Sequence, residues 1–215
     1  MKTILFLSLL TTATAWAHVP ALLLPITGTP ISSYFIGQSD ISRAVYSEIT
    51  DVDDFFVVQI NVNRGNESIL FQLFTPACDS IPEYERFQPI ALLLRGEIPW
   101  KTQGESNSDY LKRLKKKALV SVQSSFPEGK RPKFYEAFAK QYFWIGGEWR
   151  GKLRAGLFSI IVFDESGKTG NFTVGLNEKE AWSPDLFKYV GEVLPRISAG
   201  ICSRTGYTGK LELKY

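Results

Sequence analysis

The stretch from residue 147 to residue 176 constrains the fold of this chain more than any other. Residues 157–163 form an apolar run of strand length, rich in β-branched and aromatic side chains. Polar residues 164–170 follow as turn material, and residues 171–176 then alternate between polar and apolar positions. Two such runs joined by a glycine-containing turn predict a β-hairpin.

Further short strands are predicted before this stretch, separated by turns rich in Asp, Asn and Gly. They cover residues 43–49, 55–62, 68–75, 88–94 and 148–153. Because strands do not alternate with helices, the pattern predicts a mainly β protein, an antiparallel β-sandwich of jelly-roll type. One inserted amphipathic helix and a short C-terminal helix complete the prediction.

The inserted helix falls within residues 97–133. A capping sequence at 107–109 precedes apolar residues at helical spacing, which are Leu111, Leu114, Ala118, Leu119 and Val122. The second helix is predicted to begin with Ser-Pro-Asp at 183–185 and to end early at Pro195. Residues 134–144 carry six aromatic side chains and are compatible with either a helix or a docked loop.

The N-terminus has the pattern of a secretory signal. A signal peptide has a basic start, an apolar middle and a cleavage site with small residues. These correspond here to Lys2, the apolar run after it and Ala-Trp-Ala at 15–17. No later segment is apolar for long enough to span a bilayer. We therefore expect a secreted or extracellular protein, released or associated with the cell surface. The expected organisation is a signal peptide (1–17), an extended lead-in (18–38), the β-sandwich (39–182) and a C-terminal helix and tail (183–215).

Two cysteines, Cys78 and Cys202, lie far apart in the sequence. In an oxidising compartment an even count favours a disulfide, with two free thiols as the alternative. The chain-entropy estimate for so long a loop is about 4–5 kcal/mol. Asn66 and Asn171 each begin an Asn-x-Ser/Thr sequence at a predicted turn, and both are candidate glycosylation sites.

Charge is distributed unevenly along the chain. The net charge is +3, yet residues 101–154 hold 13 basic and 5 acidic side chains. The candidate anion-binding residues in this part are Lys112, Arg113, Lys115, Lys116 and Lys117. Such a helix either binds an anionic partner or is simply a solvated face. We expect no nucleic acid among the partners.

The chain has few residues of the kind that catalyse reactions. A single histidine weakens the case for nucleophile–histidine triads and rules out zinc sites with several histidine ligands. We therefore assign no catalytic residue and no confident metal site. Asp51, Asp53 and Asp54 are candidate calcium ligands or an acidic turn. Glu83 with Glu85, or Glu178 with Glu180, could act as a glycosidase pair.

The sequence allows two roles for the tryptophans. They either stack on sugar rings or belong to the core, and the residues concerned are Trp100, Trp144, Trp149 and Trp182.

Several strands resemble those of pre-peptidase C-terminal domains. The resemblance lies in residues 53–60 (DDFFVVQI), 68–76 (SILFQLFTP), 86–92 (RFQPIAL), 153–162 (LRAGLFSIIV) and 170–175 (GNFTVG). Residues 134–138 and 142–144 resemble an aromatic loop in uncharacterised secreted or surface-anchored proteins of this group, which favours the docked loop there. The resemblance covers roughly residues 40–180. It implies an extracellular, non-catalytic β-sandwich and transfers no catalytic residue.

These observations together predict a non-catalytic binding or accessory module. Its expected partner is an extracellular glycan or protein, and no cofactor is expected beyond the calcium candidate. The alternative is a glycoside-acting enzyme that uses paired carboxylates.

Overall fold

The computed structural model describes residues 18–23, 31–37, 41–51, 53–123, 126–127, 129–179, 184–203 and 206–207. Within these residues two β-sheets pack face to face, and one α-helix covers the outer side of each sheet. The predicted mainly β sandwich with two helices is confirmed. The predicted signal at residues 1–17 lies outside the described residues.

The first sheet has six strands in the order β1-β3-β11-β5-β9-β8. They are β1 (Val19–Leu22), β3 (Arg43–Ile49), β5 (Glu67–Pro76), β8 (Lys133–Glu136), β9 (Gln141–Leu153) and β11 (Gly170–Leu176). The pairing is antiparallel except between β1 and β3. The register between β5 and β9 shifts between Gln72 and Phe74.

The second sheet has five strands in the order β2-β4-β10-β6-β7. They are β2 (Ile31–Ile36), β4 (Phe55–Val62), β6 (Ile90–Arg95), β7 (Val120–Val122) and β10 (Gly156–Phe163). Only the edge pair β2–β4 is parallel. The segment expected to be an extended lead-in thus contributes β1 and β2, one edge strand to each sheet.

The main core lies between the sheets, where alternate residues of each strand point inward. Ile69, Phe71 and Leu73 of β5 meet inward residues of β4, β6 and β10 across this layer. A second apolar layer lies on the outer face of the second sheet, under helix α1 (Asn107–Lys117). Burial on both faces explains why β6 and β10 are almost continuously apolar rather than alternating.

The predicted hairpin at residues 157–176 is wrong. Both strands exist, but β10 pairs with β4 and β6 in the second sheet, whereas β11 pairs with β3 and β5 in the first. The connection therefore crosses between the sheets. Asp164 stabilises the first residues of this connection, because its Oδ1 accepts hydrogen bonds from Ser166 N at 2.8 Å and Lys168 N at 3.0 Å.

Helix α1 is shorter than the helix predicted from the apolar stripe, which continued to Val122. Ser106 is the N-cap, and its Oγ accepts a hydrogen bond from Asp109 N at 3.1 Å. The helix ends at Lys117, and Val122 belongs to strand β7 against β6. The β-branched residues of Val-Ser-Val gain more by completing the sheet edge than by extending an exposed helix.

Two other predictions are corrected. Residues 134–144 are neither helix nor loop, because β8 and the start of β9 form an antiparallel hairpin there. Helix α2 (Pro184–Gly200) runs past Pro195 to Gly200. Burial of Val193 and Ile197 on one side of α2 offsets the hydrogen bond that Pro195 cannot make.

The predicted disulfide is present. Cys78 and Cys202 are bonded, with 5.6 Å between their Cα atoms, and join the loop after β5 to the segment after α2. No helix among the described residues has the length and apolar content needed to cross a membrane.

Candidate binding surfaces

The β8–β9 hairpin presents an aromatic face at the edge of the first sheet. Because side chains alternate along a strand, the cross-strand pairs Lys133–Trp144 and Tyr135–Tyr142 lie on the same side of the hairpin. We call these four residues the hairpin face. Tyr135 and Tyr142 are 52% and 55% exposed, and their ring centroids lie 5.2 Å apart. Lys133 Nζ lies 3.9 Å from the centroid of the Trp144 ring.

The opposite side of the hairpin is fixed in the core. Phe134 packs on Phe74 and on Phe143, with ring centroids 4.7 and 5.8 Å apart. At the tip of the hairpin, Glu136 Oε2 accepts a hydrogen bond from Ala139 N at 2.5 Å, and burial raises the pKa of this carboxyl. These contacts hold the exposed rings in place, so ligand binding need not order them.

Arg131 fixes the segment that immediately precedes β8. It is 4% exposed, and its guanidinium donates to the carbonyl oxygens of Ile145 (2.8 Å), Phe87 (3.1 Å) and Glu85 (3.2 Å). Burial lowers its pKa to about 10. This basic residue is therefore structural and is not available to an anionic partner.

A cleft of about 620 Å³ adjoins the hairpin face. Its lining comprises Ala77, Cys78, Asp79, Ser80, Lys133, Gln141, Tyr142 and Cys202. One wall is braced by the disulfide and by a hydrogen bond of 2.8 Å from Gln141 Nε2 to Ala77 O. We call this space the hairpin cleft. It places a carboxylate, an amide and an ammonium group beside an exposed aromatic ring.

A smaller groove of about 210 Å³ lies on the outer face of the first sheet. Gly175 and Phe74 are among its lining residues, as are Glu148, Arg150 and Glu178. Arg150 and Glu178 form an ion pair, which raises the pKa of the guanidinium. His18 also lines this groove, and its Nδ1 hydrogen-bonds Ser42 Oγ.

The structure does not support the predicted glycosidase pair Glu83–Glu85 and leaves the pair Glu178–Glu180 untested. Glu83 lines a different cavity, which Glu85 does not line, and Glu85 Oε1 accepts a hydrogen bond from Gly129 N at 2.8 Å. Glu178 is paired with Arg150, and Glu180 lies outside the described residues.

The predicted anion-binding helix is largely paired with acids. Lys112 contacts Asp109, Lys115 contacts Glu165, and Arg113 binds Glu105 through two nitrogens. The last contact lowers the pKa of Glu105 to about 2. Lys116 and Lys117 have no ion-pair partner among the residues that the structure describes. Anion binding by this helix remains a prediction.

The candidate calcium residues stabilise a turn. Asp54 Oδ2 accepts hydrogen bonds from Thr50 N and Asp51 N, each at 2.8 Å, and Asp51 Oδ1 accepts one from Asp53 N at 3.3 Å. In the described part of the chain no three Asp, Glu, His or Cys side chains are grouped so that they could hold a metal ion. Calcium binding here remains a prediction without a ligand cluster to support it.

The two candidate glycosylation sites differ in accessibility. Asn66 is exposed in the turn before β5, with a φ of 66°. Asn171 is 1% exposed, and its Nδ2 donates to Gly200 O and Ile201 O at 3.0 Å each. A glycan on Asn171 would break these hydrogen bonds of a buried side chain, so the structure contradicts that prediction.

The comparisons with known proteins concern the fold. No family model matches this sequence, and no curated protein matches it. The structure is similar to PliG, a periplasmic inhibitor of g-type lysozyme from Aeromonas hydrophila, with a TM-score of 0.37 and 9% identity over 68% of this chain and 96% of that one. It is also similar to the pre-peptidase C-terminal domain of a Bacillus anthracis collagenase, with a TM-score of 0.41 and 11% identity over 69% of this chain and 98% of that one.

A third similar structure is CorA, a surface-associated copper-binding protein of Methylomicrobium album BG8. It has a TM-score of 0.29 and 10% identity over 74% of this chain and 100% of that one. Similarity at this level concerns the course of the strands, not a ligand or an activity.

Sequence reasoning missed the pairing of Tyr135 with Tyr142. Residues 133–136 (KFYE) and 141–144 (QYFW) show no alternation of polar and apolar residues, because aromatic side chains lie on both sides of the hairpin. Of the tryptophans, Trp149 packs against the main core and Trp100 is 81% exposed, while Trp182 lies outside the described residues.

Proposed function

We propose that this protein is an exported binding module that recognises an extracellular glycan through the hairpin face. One observation carries the proposal. Tyr135 and Tyr142 are more than half exposed, touch each other, and stand on a strand pair whose other side is fixed in the core. Exposed aromatic rings that lie side by side often mark an interaction site.

The neighbouring chemistry favours a glycan. Sugar rings combine apolar C–H faces with hydroxyl groups, so they need flat apolar surface beside hydrogen-bonding side chains. The hairpin face supplies the first, and Asp79, Gln141 and Lys133 of the hairpin cleft supply the second. The cleft is also large enough for a small ligand, since binding sites commonly have volumes of about 300–1,000 Å³.

Export is supported by the cysteines and by the predicted signal. The Cys78–Cys202 disulfide belongs to an oxidising compartment, because reducing systems keep most cytosolic thiols free. The sequence pattern of residues 1–17 agrees with this compartment.

A glycan array with matched variants tests the proposal. The double variant Tyr135→Ala/Tyr142→Ala should bind the retained glycans at least about tenfold more weakly, which corresponds to about 1.4 kcal/mol. Trp100→Ala is the matched control, because it removes an aromatic side chain that is 81% exposed and belongs to a residue hydrogen-bonded to Arg113 of α1, on the second sheet. If the control loses as much binding as the double variant, or if no glycan is retained, the proposal is wrong.

A second candidate is a protein partner, favoured by the position of β8. This strand is last in the order of its sheet, and among the described residues no strand pairs with its outer edge. An extended segment of a partner could add to that edge by main-chain hydrogen bonds. Pull-down from native secretions that survives an excess of array-positive glycan would favour this candidate over the first.

A further inference from the structure

The two exposed tyrosines of the hairpin face do not form a flat platform. The ring planes of Tyr135 and Tyr142 are inclined at 60° to each other, so only one ring can lie flat against a given sugar. Stacking on one ring discriminates little between sugars, because it uses the apolar C–H face that they share. The class of glycan is therefore selected by the charged and polar groups beside the rings.

Lys133 places a positive charge on the same side of the hairpin. It lies two residues before Tyr135 on β8, which corresponds to about 7 Å along the strand. Its ammonium group lies 3.9 Å from the centroid of the Trp144 ring, and this contact restricts an otherwise flexible side chain. The contact also covers one face of Trp144. An ammonium group has three N–H donors, so donors remain for a ligand.

The charge of the hairpin and of the segment before it is mainly positive. Residues 129–144 contain four basic side chains and one acidic side chain. The acidic one, Glu136, is 5% exposed and accepts a hydrogen bond from Ala139 N, so it does not face a ligand. Three of the basic side chains are exposed, and these are Lys130, Lys133 and Lys140. A local excess of positive charge attracts anionic ligands.

The hairpin cleft also contains one exposed carboxylate. Asp79 lies on the loop that follows β5, whereas Lys133 and Tyr142 belong to the hairpin. Asp79 would favour a cationic sugar and Lys133 an anionic one. The lysine has the stronger case, because its ammonium group is held by Trp144 and lies on the same side of the hairpin as the stacking rings.

We propose that the hairpin face recognises an acidic glycan. One sugar stacks on Tyr142, and an acidic group of the same chain accepts hydrogen bonds from the ammonium group of Lys133. This inference rests on the glycan binding proposed above and names the class of glycan. Lysine binds as a compact point charge and does not require a planar partner, so a uronate carboxylate and a sulfate ester both fit.

Two oligosaccharides that differ only in charge test the proposal by calorimetry at low ionic strength. Oligogalacturonate should bind about fivefold more tightly than its neutral methyl ester, the effect of one exposed ion pair. Lys133→Gln should abolish this preference and leave the affinity for the ester unchanged. Lys152→Gln is the matched control, because it removes an exposed lysine near the other end of β9, and it should keep the preference. A preference that is undiminished in Lys133→Gln would overturn the proposal.

The two charges of the cleft should act in opposite directions. Asp79→Asn removes a carboxylate that repels an acidic ligand, so it should strengthen the binding of oligogalacturonate, by up to about twofold. An amino sugar would give the reverse pattern, with weaker binding in Asp79→Asn and stronger binding in Lys133→Gln. That reverse pattern, or weaker binding of oligogalacturonate by Asp79→Asn, would contradict an acidic ligand.

The wild type alone gives a further result, which does not depend on any variant folding. Oligogalacturonate should move the indole signals of Trp144 in NMR spectra, because the acidic group binds the ammonium that lies over this ring. Its affinity should fall with added salt, since exposed charges are screened over about 8–10 Å near physiological ionic strength. Unchanged Trp144 signals at saturating oligogalacturonate, or an affinity independent of salt, would contradict the contact.

Sulfated galactan oligosaccharides and their desulfated forms distinguish the two acidic groups. A preference for charge in this pair alone supports a sulfate ester, and one in the galacturonate pair alone supports a carboxylate. If neither pair shows a preference while Tyr135→Ala/Tyr142→Ala still loses binding, the hairpin face binds glycans without selecting acidic ones, and only this inference is wrong. If the double variant binds every retained glycan as tightly as the wild type does, the proposed function is wrong as well.

Discussion

The two outer faces of the sandwich are each covered by one helix, yet they are built differently. Under α1 the second sheet offers an apolar layer that includes Phe55, Leu92 and Phe163, and its buried Ser159 donates to Gly96 O at 2.7 Å. Under α2 the first sheet buries Glu48 and Glu136 among its apolar residues. The three cavities described above all lie on this side or at its edge.

This difference separates the stabilising side of the molecule from the side equipped to bind. A face whose buried groups are apolar or fully hydrogen-bonded has little to offer a ligand. A face with a polar groove, a cleft and exposed aromatic rings has several groups that a ligand could contact. The predictions below test this contrast, from the largest expected effect to the smallest.

Loss of the disulfide should have the largest effect, and it should fall on the first sheet. The variant Cys78→Ala/Cys202→Ala removes a link between residues 124 apart, for which the chain-entropy estimate is about 4–5 kcal/mol. Urea unfolding measures the loss. Hydrogen exchange of the native state should accelerate around Ile81 and Tyr207 and stay slow in α1. Equal acceleration in α1 would show that the two faces are not separate.

Leu114→Ala should weaken the second face by about 3 kcal/mol. Leu114 is 0% exposed under α1 and packs in a layer made mainly of apolar side chains, so its truncation should leave a cavity. Leu111 is half-buried on the same helix, so Leu111→Ala is the matched control and should cost clearly less. Urea unfolding with unchanged m-values checks both. Equal losses would mean that α1 is not packed as described.

The buried carboxyls should make the first face sensitive to pH. Burial raises the pKa values of Glu48 and Glu136 above 4.5. Their contribution to stability is therefore full below the unfolded pKa and is lost as pH rises through the higher folded pKa.

Urea unfolding between pH 3 and pH 8 measures this dependence. As pH rises, the free energy of unfolding of the wild type should fall relative to that of the double variant Glu48→Gln/Glu136→Gln. Glu105→Gln serves as the control on the other face, because Arg113 lowers the pKa of Glu105 to about 2 and the opposite sign is expected below pH 4.5. A pH-independent difference for the double variant would contradict the burial of the two carboxyls.

The basic surface of α1 should show the smallest effect on stability. Replacing Lys115, Lys116 and Lys117 by Gln should change Tm by no more than about 2 °C, since surface substitutions and exposed ion pairs contribute little. Retention on a heparin column should weaken in the variant and with added salt if these residues bind an anionic polymer. Equal retention of variant and wild type would show that these lysines are only solvated and do not bind the polymer.

Local patterns in the sequence were sufficient for most strands but not for their partners. The predicted bounds of β3 and β4 coincide with the structure, because apolar runs end there at Asp- and Asn-containing turns. The error at β10 and β11 arose because two consecutive strands look the same whether they pair or cross between sheets about 10 Å apart. The outcome depends on which strands β10 and β11 pair with. Their partners β3, β4, β5 and β6 are distant from them in the sequence.

The buried carboxyls and the candidate site were harder to predict for the same reason. Glu48 carries no local signal, because its burial depends on Tyr207, which lies 159 residues away. The hairpin face has no clear sequence signal either, because aromatic residues lie on both sides of the β8–β9 hairpin and mask the period of two. The disulfide was predicted from cysteine number and compartment alone, without any geometry.

The most direct test of the binding side is to map ligand contacts on the native protein. Amide and aromatic signals should be followed in NMR spectra while soluble cello-, chito-, xylo- and manno-oligosaccharides are added in turn. We expect at least one of them to move the signals of Tyr135, Tyr142 and Gln141 and to leave those of α1 unchanged. Shifts confined to α1, or no shift at the hairpin with any of these probes or with the glycans retained on the array, would contradict the assignment of the hairpin face as the binding surface.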